Sequence, residues 1–237
     1  MKKALKRAVR AVLDRTLVPT AAHVARSLPR DALAEELARR TASECADYVQ
    51  ERMALALQFS KRGDLLVHAL ERAPAEGLIA EFGVWRGVSL NLLARAARPR
   101  IVHGFDSFQG LREDWRGWGL RKGTFHTGGR APRVEPNVRL TAGWFDASLP
   151  GFLSSNPGPF SFAHVDSDTY EAAHCVLGLI GPRIAEGTVI VFDEYLGYRG
   201  WRLGEFRAWQ EFVAARSVAY EYLGFSEQSV SIRVTRA

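Results

Sequence analysis

The sequence predicts an α/β protein, a mostly parallel sheet with helices on both faces and a helical segment ahead of it. From Leu78 onward, short apolar runs of strand length alternate with amphipathic stretches of helix length, as in βαβ units. The central runs are apolar throughout rather than alternating, which is how strands buried on both faces read. Acidic residues stand at or just beyond the ends of the strongest runs, at Asp106, Asp166 and Asp193, where ligands of open parallel sheets bind.

The elements follow in order. Residues 1–16 place Ala4, Leu5, Ala8, Val9, Val12 and Leu13 on one stripe, an amphipathic helix broken by Pro19. Asp31 reads as the cap of a second helix to about Arg40, a third runs to about Gln58, and Asp64 begins a fourth that stops at Pro74 and Gly77. We assign 1–76 to an N-terminal helical accessory segment and 77–237 to the sheet domain. Strands are expected over 78–84, 101–106, 138–141, 160–165 and 188–192, with helices over 88–97, 170–180 and 203–216. Two closing strands, 219–223 and 229–234, are joined without a helical crossover, so they form an antiparallel edge. Residues 110–136 are rich in Gly, Arg and Trp and show no period; so long a loop in a compact domain is usually a lid or insertion.

Composition narrows the function. The chain of 237 residues is 47% hydrophobic and 24% charged, enough for one sizeable domain. No apolar run reaches membrane-spanning length, and Lys6, Arg7, Arg10 and Asp14 interrupt any signal-peptide core. The net charge of +6 is local: residues 1–40 hold ten Lys/Arg against four Asp/Glu, and the rest carries 22 of each. A neutral main domain argues against nucleic acid as partner, and the basic segment reads as the solvated face of accessory helices. Cys45 and Cys175 form no CxxC motif and read as free thiols of a cytoplasmic protein.

Three clusters carry chemistry. After the first strand, Gly83 and Gly87 lie four apart, before a helix whose first N–H groups lack partners. This is neither GxGxxG nor a P-loop, so it suits a ligand with an amino-acid end better than a diphosphate; Glu81 can accept from that ligand's ammonium group. Asp106 ends the second strand, where an acid serves a ribose or caps a turn, and Ser107 and Phe108 can flank the nucleoside. The third cluster, Asp166 and Asp168 after one strand and Asp193-Glu194 after the next, converges because neighbouring strands lie about 4.8 Å apart. Asp166, Asp193 and Glu194 are oxygen ligands suited to Mg²⁺, which lowers the pKa of a bound hydroxyl; the alternative is helix capping without metal. His164 lies deeper than Asp166 on the same strand face and reads as core, whereas His126 in the irregular loop is freer to meet a substrate.

The segments EFGVWRGVSLNLLA (81–94), VHGFDSFQGL (102–111), GWFDASLPGF (143–152), FAHVDSDTYE (162–171) and GTVIVFDEY (187–195) together resemble the macrocin O-methyltransferase-like (TylF-type) family of class I S-adenosylmethionine-dependent methyltransferases. The resemblance implies a seven-stranded Rossmann-like fold, a small-molecule acceptor such as a sugar or secondary metabolite, and usually Mg²⁺. It implies that Glu81, Gly83 and Ser89 line the methionine end of the cofactor, that Asp106 and Ser107 hold the ribose, and that Trp144 and Phe145 lie near the adenine. Asp166 would be a metal ligand, with Asp166 or Asp168 as general base. Glu194 departs from the aspartate usual in the family, which bears on the metal more than on methyl transfer. Thr169 stands where related catechol-type enzymes carry a lysine base. A nicotinamide oxidoreductase would want three phosphate-binding glycines, and a non-catalytic cofactor-binding partner is the other alternative. The amphipathic N-terminal helices can pair two copies into a homodimer. Acceptor contacts are expected from those helices, from loop 110–136 and from Tyr195, Tyr198 and Trp201, although aromatics at such positions serve packing at least as often.

Overall fold

The computed structural model describes residues 31–237; the helix expected over 1–16 lies outside them. Helices are α1 (Ala32–Arg52), α2 (Arg62–Glu71), α3 (Val88–Ala96), α4 (Phe145–Ser155), α5 (Tyr170–Ile180) and α6 (Glu205–Arg216). Strands are β1 (Leu57–Gln58), β2 (Leu78–Phe82), β3 (Val102–Asp106), β4 (Val138–Ala142), β5 (Phe160–Val165), β6 (Val189–Phe192), β7 (Ala219–Phe225) and β8 (Val230–Arg236). Residues Arg40–Ala237 form one compact unit. In the other unit, Asp31 caps the start of α1 by accepting from the Ala34 amide at 3.0 Å. Where two helices are expected to meet near Arg40, α1 runs unbroken for 21 residues, since no Gly or Pro interrupts it.

The eight strands are ordered β1-β7-β8-β6-β5-β2-β3-β4. β8 runs antiparallel to β6 and β7, and the other pairs are parallel. The strand beyond the expected seven is β1, whose Leu57 and Gln58 pair with Gly224 and Phe225; two residues carry no readable pattern. From β2 the chain passes to β3 on one side and later to β5 on the other, so the order reverses between β2 and β5. That reversal opens a crevice beyond their carboxyl ends.

Alternation within the strands feeds two cores. Ala80, Phe82, Ala163, Val165, Ile190 and Phe192 pack with residues of α1, α5 and α6, while Ile79, Phe162, Val189 and Val191 pack with Leu66, Leu70, Leu90 and Leu93 of α2 and α3. Helix α2, read from sequence as part of the accessory segment, is thus a covering helix of the sheet. Helix α4 has no counterpart in the sequence reading because Pro150 and Gly151 are poor helix residues. Burial overrides propensity there: Leu149 is inaccessible, and Phe145 and Phe152 pack edge-on against Phe82 and Phe105.

Gly83 sets how closely β2 and β5 approach. It has φ of 101°, and a Cβ built on it would lie 1.6 Å from the Asp166 carbonyl oxygen. Gly83→Ala is therefore expected to cost roughly 3 kcal/mol or more, or to prevent folding, through clash and backbone strain together. Urea denaturation checks this, and a loss under about 1 kcal/mol would show that the two strand ends can separate freely.

Candidate active site

A cavity of about 640 Å³ occupies the crevice, a volume ordinary for a small-molecule site. Its floor is formed by the carboxyl ends of four strands: Gly83 after β2, Asp106 and Ser107 at β3, Asp166 to Asp168 after β5, and Asp193 and Glu194 after β6. Ser89 of α3 and Trp144 and Phe145 at the start of α4 also line it. Glu81, Gly87 and Phe108 do not: Glu81 and Phe108 are buried behind the wall, and Gly87 starts α3 in a left-handed conformation.

Asp106 organises the turn after β2. One carboxylate oxygen accepts from the Val84 and Trp85 amides at 2.8 and 2.7 Å. The other accepts from the Phe108 amide at 2.6 Å. The acid therefore caps the turn, one of the two roles the sequence left open, and also lines the cavity.

Behind the floor runs a buried polar row across three adjacent strands. His164, inaccessible on β5, places Nδ1 2.8 Å from a Glu81 oxygen and Nε2 3.4 Å from Asp193. Burial alone would lower the imidazole pKa, but hydrogen bonds to Asp193 and Glu81 raise it to about 10, so the ring is a cation between two carboxylates. Asp193 also accepts from the Ser229 hydroxyl at 3.0 Å and from the Arg62 guanidinium. Burial would raise the Asp193 pKa, yet His164 and Arg62 hold it down to about 2. Arg62 extends to 3.6 Å from Asp166. Sequence reading missed Arg62, because an arginine in the first turn of a helix carries no sign of what it faces.

In front of this row stands an acid cluster. Oxygens of Asp166, Asp168 and Glu194 all lie within 4.8 Å of one another. Burial first, and then neighbouring carboxylates, push all three acids well above the ordinary range. Glu205 sits beneath, accepting from the Ser167 and Glu194 amides at 3.1 Å each; burial lifts it to about 8 despite those bonds. One Glu194 oxygen is buried with no hydrogen-bond partner. Oxygen donors, excess negative charge and an orphaned carboxylate oxygen fit a hard divalent cation. The trio so assembled contains Asp168 where the sequence expected Asp193.

Loop 110–136 forms the outer wall. It is ordered by backbone bonds such as Leu111 N–H to Thr124 C=O at 2.9 Å, and it brings Arg112, Glu113, Trp115, Trp118 and Phe125 to the cavity. Glu113 accepts from the Thr169 hydroxyl, tying the loop to the cap of α5. Trp85, Phe125 and Asp168, all cavity-lining, hold positive φ of 45°, 69° and 66°, backbone strain of the kind that gathers at functional sites. His126 is exposed and does not reach the cavity. Tyr195, Tyr198 and Trp201, expected near an acceptor, are instead buried at 0%, 5% and 1% exposure. Their aromatic character serves packing.

Residues 80–195 match the family model described as a methyltransferase domain. The match spans 116 of the 237 residues, just under half of the chain. A relative from Streptomyces olivaceus, named 8-demethyl-8-(2,3-dimethoxy-alpha-L-rhamnosyl)-tetracenomycin-C 4'-O-methyltransferase, is 29% identical over 163 residues. The alignment covers 57% of this chain and 60% of that protein, so the chain spans about three-fifths of the relative's length. Among solved structures, CalS11, a calicheamicin methyltransferase, superposes with a TM-score of 0.58 at 22% identity, over 87% of this chain and 94% of its own. The O-methyltransferase NovP gives 0.55 at 23% identity, over 74% and 80%. Both share this chain's fold.

The polar row makes a stability prediction. His164→Leu removes the cation between Glu81 and Asp193 and leaves the buried Glu81 carboxylate unpaired, while Asp193 keeps Arg62 and Ser229, at a cost of roughly 3–5 kcal/mol. Chemical denaturation measures this; an unchanged midpoint would mean that the row contributes nothing to the fold.

Proposed function

We propose that the protein is an S-adenosylmethionine-dependent O-methyltransferase acting on a hydroxyl of a small molecule, a sugar or secondary metabolite. The observation that carries this reading is one continuous cavity at the strand-order reversal, which joins a nucleoside-suited end to an acid cluster. The methyltransferase-domain match supports the reaction class. The Streptomyces olivaceus relative, named for 4'-O-methylation of a rhamnosyl tetracenomycin, supports the acceptor class.

When bound, the cofactor supplies a methyl group already activated on a sulfonium sulfur. The chain's contribution is alignment, exclusion of water and removal of one proton. Asp106 and Ser107 hold the ribose end, Trp144 and Phe145 flank the base, and Gly83 and Ser89 border the amino-acid end. Glu81 lies behind the wall, paired with His164. Asp166 and Asp168 are the carboxylates available to take the acceptor's proton. Asp166, Asp168 and Glu194 are the residues that would hold Mg²⁺, whose charge favours the deprotonated hydroxyl.

Among the described residues no helix is long and apolar enough to cross a membrane. Cys45 and Cys175 are free thiols, in keeping with a cytoplasmic setting. A homodimer through the N-terminal helices belongs to the same reading, and light scattering of the full chain against a chain lacking residues 1–30 tests it.

Calorimetric titration with S-adenosylmethionine and S-adenosylhomocysteine tests the core of the proposal. Micromolar binding is expected, lost in Asp106→Ala. A folded protein that binds neither nucleoside would overturn the reading. Once an acceptor is in hand, Asp166→Asn is expected to lower kcat by about a hundredfold or more, while cofactor affinity stays within about threefold. Trp118, 47% exposed at the rim and stacked on Tyr198, is expected to serve the acceptor: Trp118→Ala should raise its KM by about three- to tenfold and leave cofactor binding unchanged.

A further inference from the structure

We propose that Arg62 is a built-in cation that withdraws Asp193 from metal binding, so that a divalent ion is held by Asp166, Asp168 and Glu194. Nothing in the strand pattern foretells this set, because an acid at the end of β6 and one at the end of β5 are the natural pair.

The geometry makes the assignment. Asp193 is only 4% exposed, and both of its oxygens are engaged. One receives the Ser229 hydroxyl at 3.0 Å and faces His164 Nε2 at 3.4 Å; the other receives Arg62. A carboxylate so committed would have to give up a guanidinium partner to reach an ion, and a guanidinium cannot lose its proton to make room. Arg62 also stands 3.6 Å from Asp166, covering the edge where an ion shared by Asp166 and Asp193 would have to sit.

Asp166 also stands close to two further acids. Asp168 is turned toward it by a left-handed backbone, φ 66°, and donor oxygens of Asp166, Asp168 and Glu194 lie within 4.8 Å of one another. Glu194 is 7% exposed, and one of its oxygens is buried without a partner. A buried carboxyl oxygen without a partner costs folding free energy unless a ligand supplies one. Three carboxylates with no nitrogen or sulfur donor select a hard ion such as Mg²⁺ or Mn²⁺.

The proposal deepens the methyl-transfer reading and rests on it for the use of the ion, whereas the ligand set can be tested without turnover. The probe is Mn²⁺ alone, titrated into the full chain and followed by electron paramagnetic resonance of the free ion, with folding of each variant checked by thermal melting. Wild type is expected to bind one ion. Asp168→Asn should weaken it by about tenfold or more, and Asp193→Asn by less than about threefold. In the Arg62→Ala background the ion should bind about tenfold tighter, and there Asp193→Asn should become costly because Asp193 has been released to the metal.

Equal losses in Asp168→Asn and Asp193→Asn overturn the proposal, and so does wild-type protein that binds no Mn²⁺. Should Asp193→Asn not fold, Arg62→Ala alone decides: tighter binding supports the assignment, unchanged or weaker binding overturns it. S-adenosylhomocysteine titration of the same samples separates the two readings. Nucleoside binding without Mn²⁺ binding removes the ion and keeps the methyltransferase, while Mn²⁺ binding at these ligands without nucleoside binding does the reverse.

Discussion

Six carboxyl groups, those of Glu81, Asp166, Asp168, Asp193, Glu194 and Glu205, gather around the carboxyl ends of three neighbouring strands, and most of them are buried. Left to themselves, so many like charges would protonate or drive the strand ends apart. The protonated imidazole of His164, fixed between Glu81 and Asp193, and the Arg62 guanidinium on Asp193 and Asp166 neutralise the rear of the cluster. The front, at Asp166, Asp168 and Glu194, keeps an unneutralised excess. That asymmetry lets the same acids be structural on one side and available for chemistry on the other.

The sheet makes the arrangement possible. Parallel pairing in register sets Glu81 beside His164, and His164 beside Val191, so Asp193 follows one pleat beyond. Gly83, lacking a side chain, lets the Asp166 backbone come against the end of β2. Without that close approach the acid cluster and the turn held by Asp106 would face different spaces. Aromatic residues divide along the same logic: Trp85, Trp118 and Trp144 reach the cavity, whereas Tyr195 and Trp201 fill the core beneath it.

Much of this was legible before the fold. Continuous apolar runs ending in acid marked β3, β5 and β6, and the glycines at 83 and 87 marked the turn, because strand burial and backbone freedom act over a few residues. Helix α4 was not legible, since Pro150 argues locally against a helix that Phe82, Phe105 and Leu149 stabilise from a distance. Strand β1 was too short to show a period. The roles of Arg62 and Glu205 were hidden for a different reason: a charged residue in the first turn of a helix looks solvated until its neighbours are known.

Hydrophobic period and turn chemistry are local, so the layered α/β architecture, the antiparallel edge and the acids at the strand ends could be read from short stretches of the chain. Tertiary structure alone decided which acid is paired and which is left exposed to a ligand. Asp193 and Asp168 are equally acidic in sequence, yet one meets Arg62, His164 and Ser229 while the other turns toward Glu194 and Asp166. Electrostatic role depends on distance and burial, and these are set by elements up to 131 residues apart in the chain.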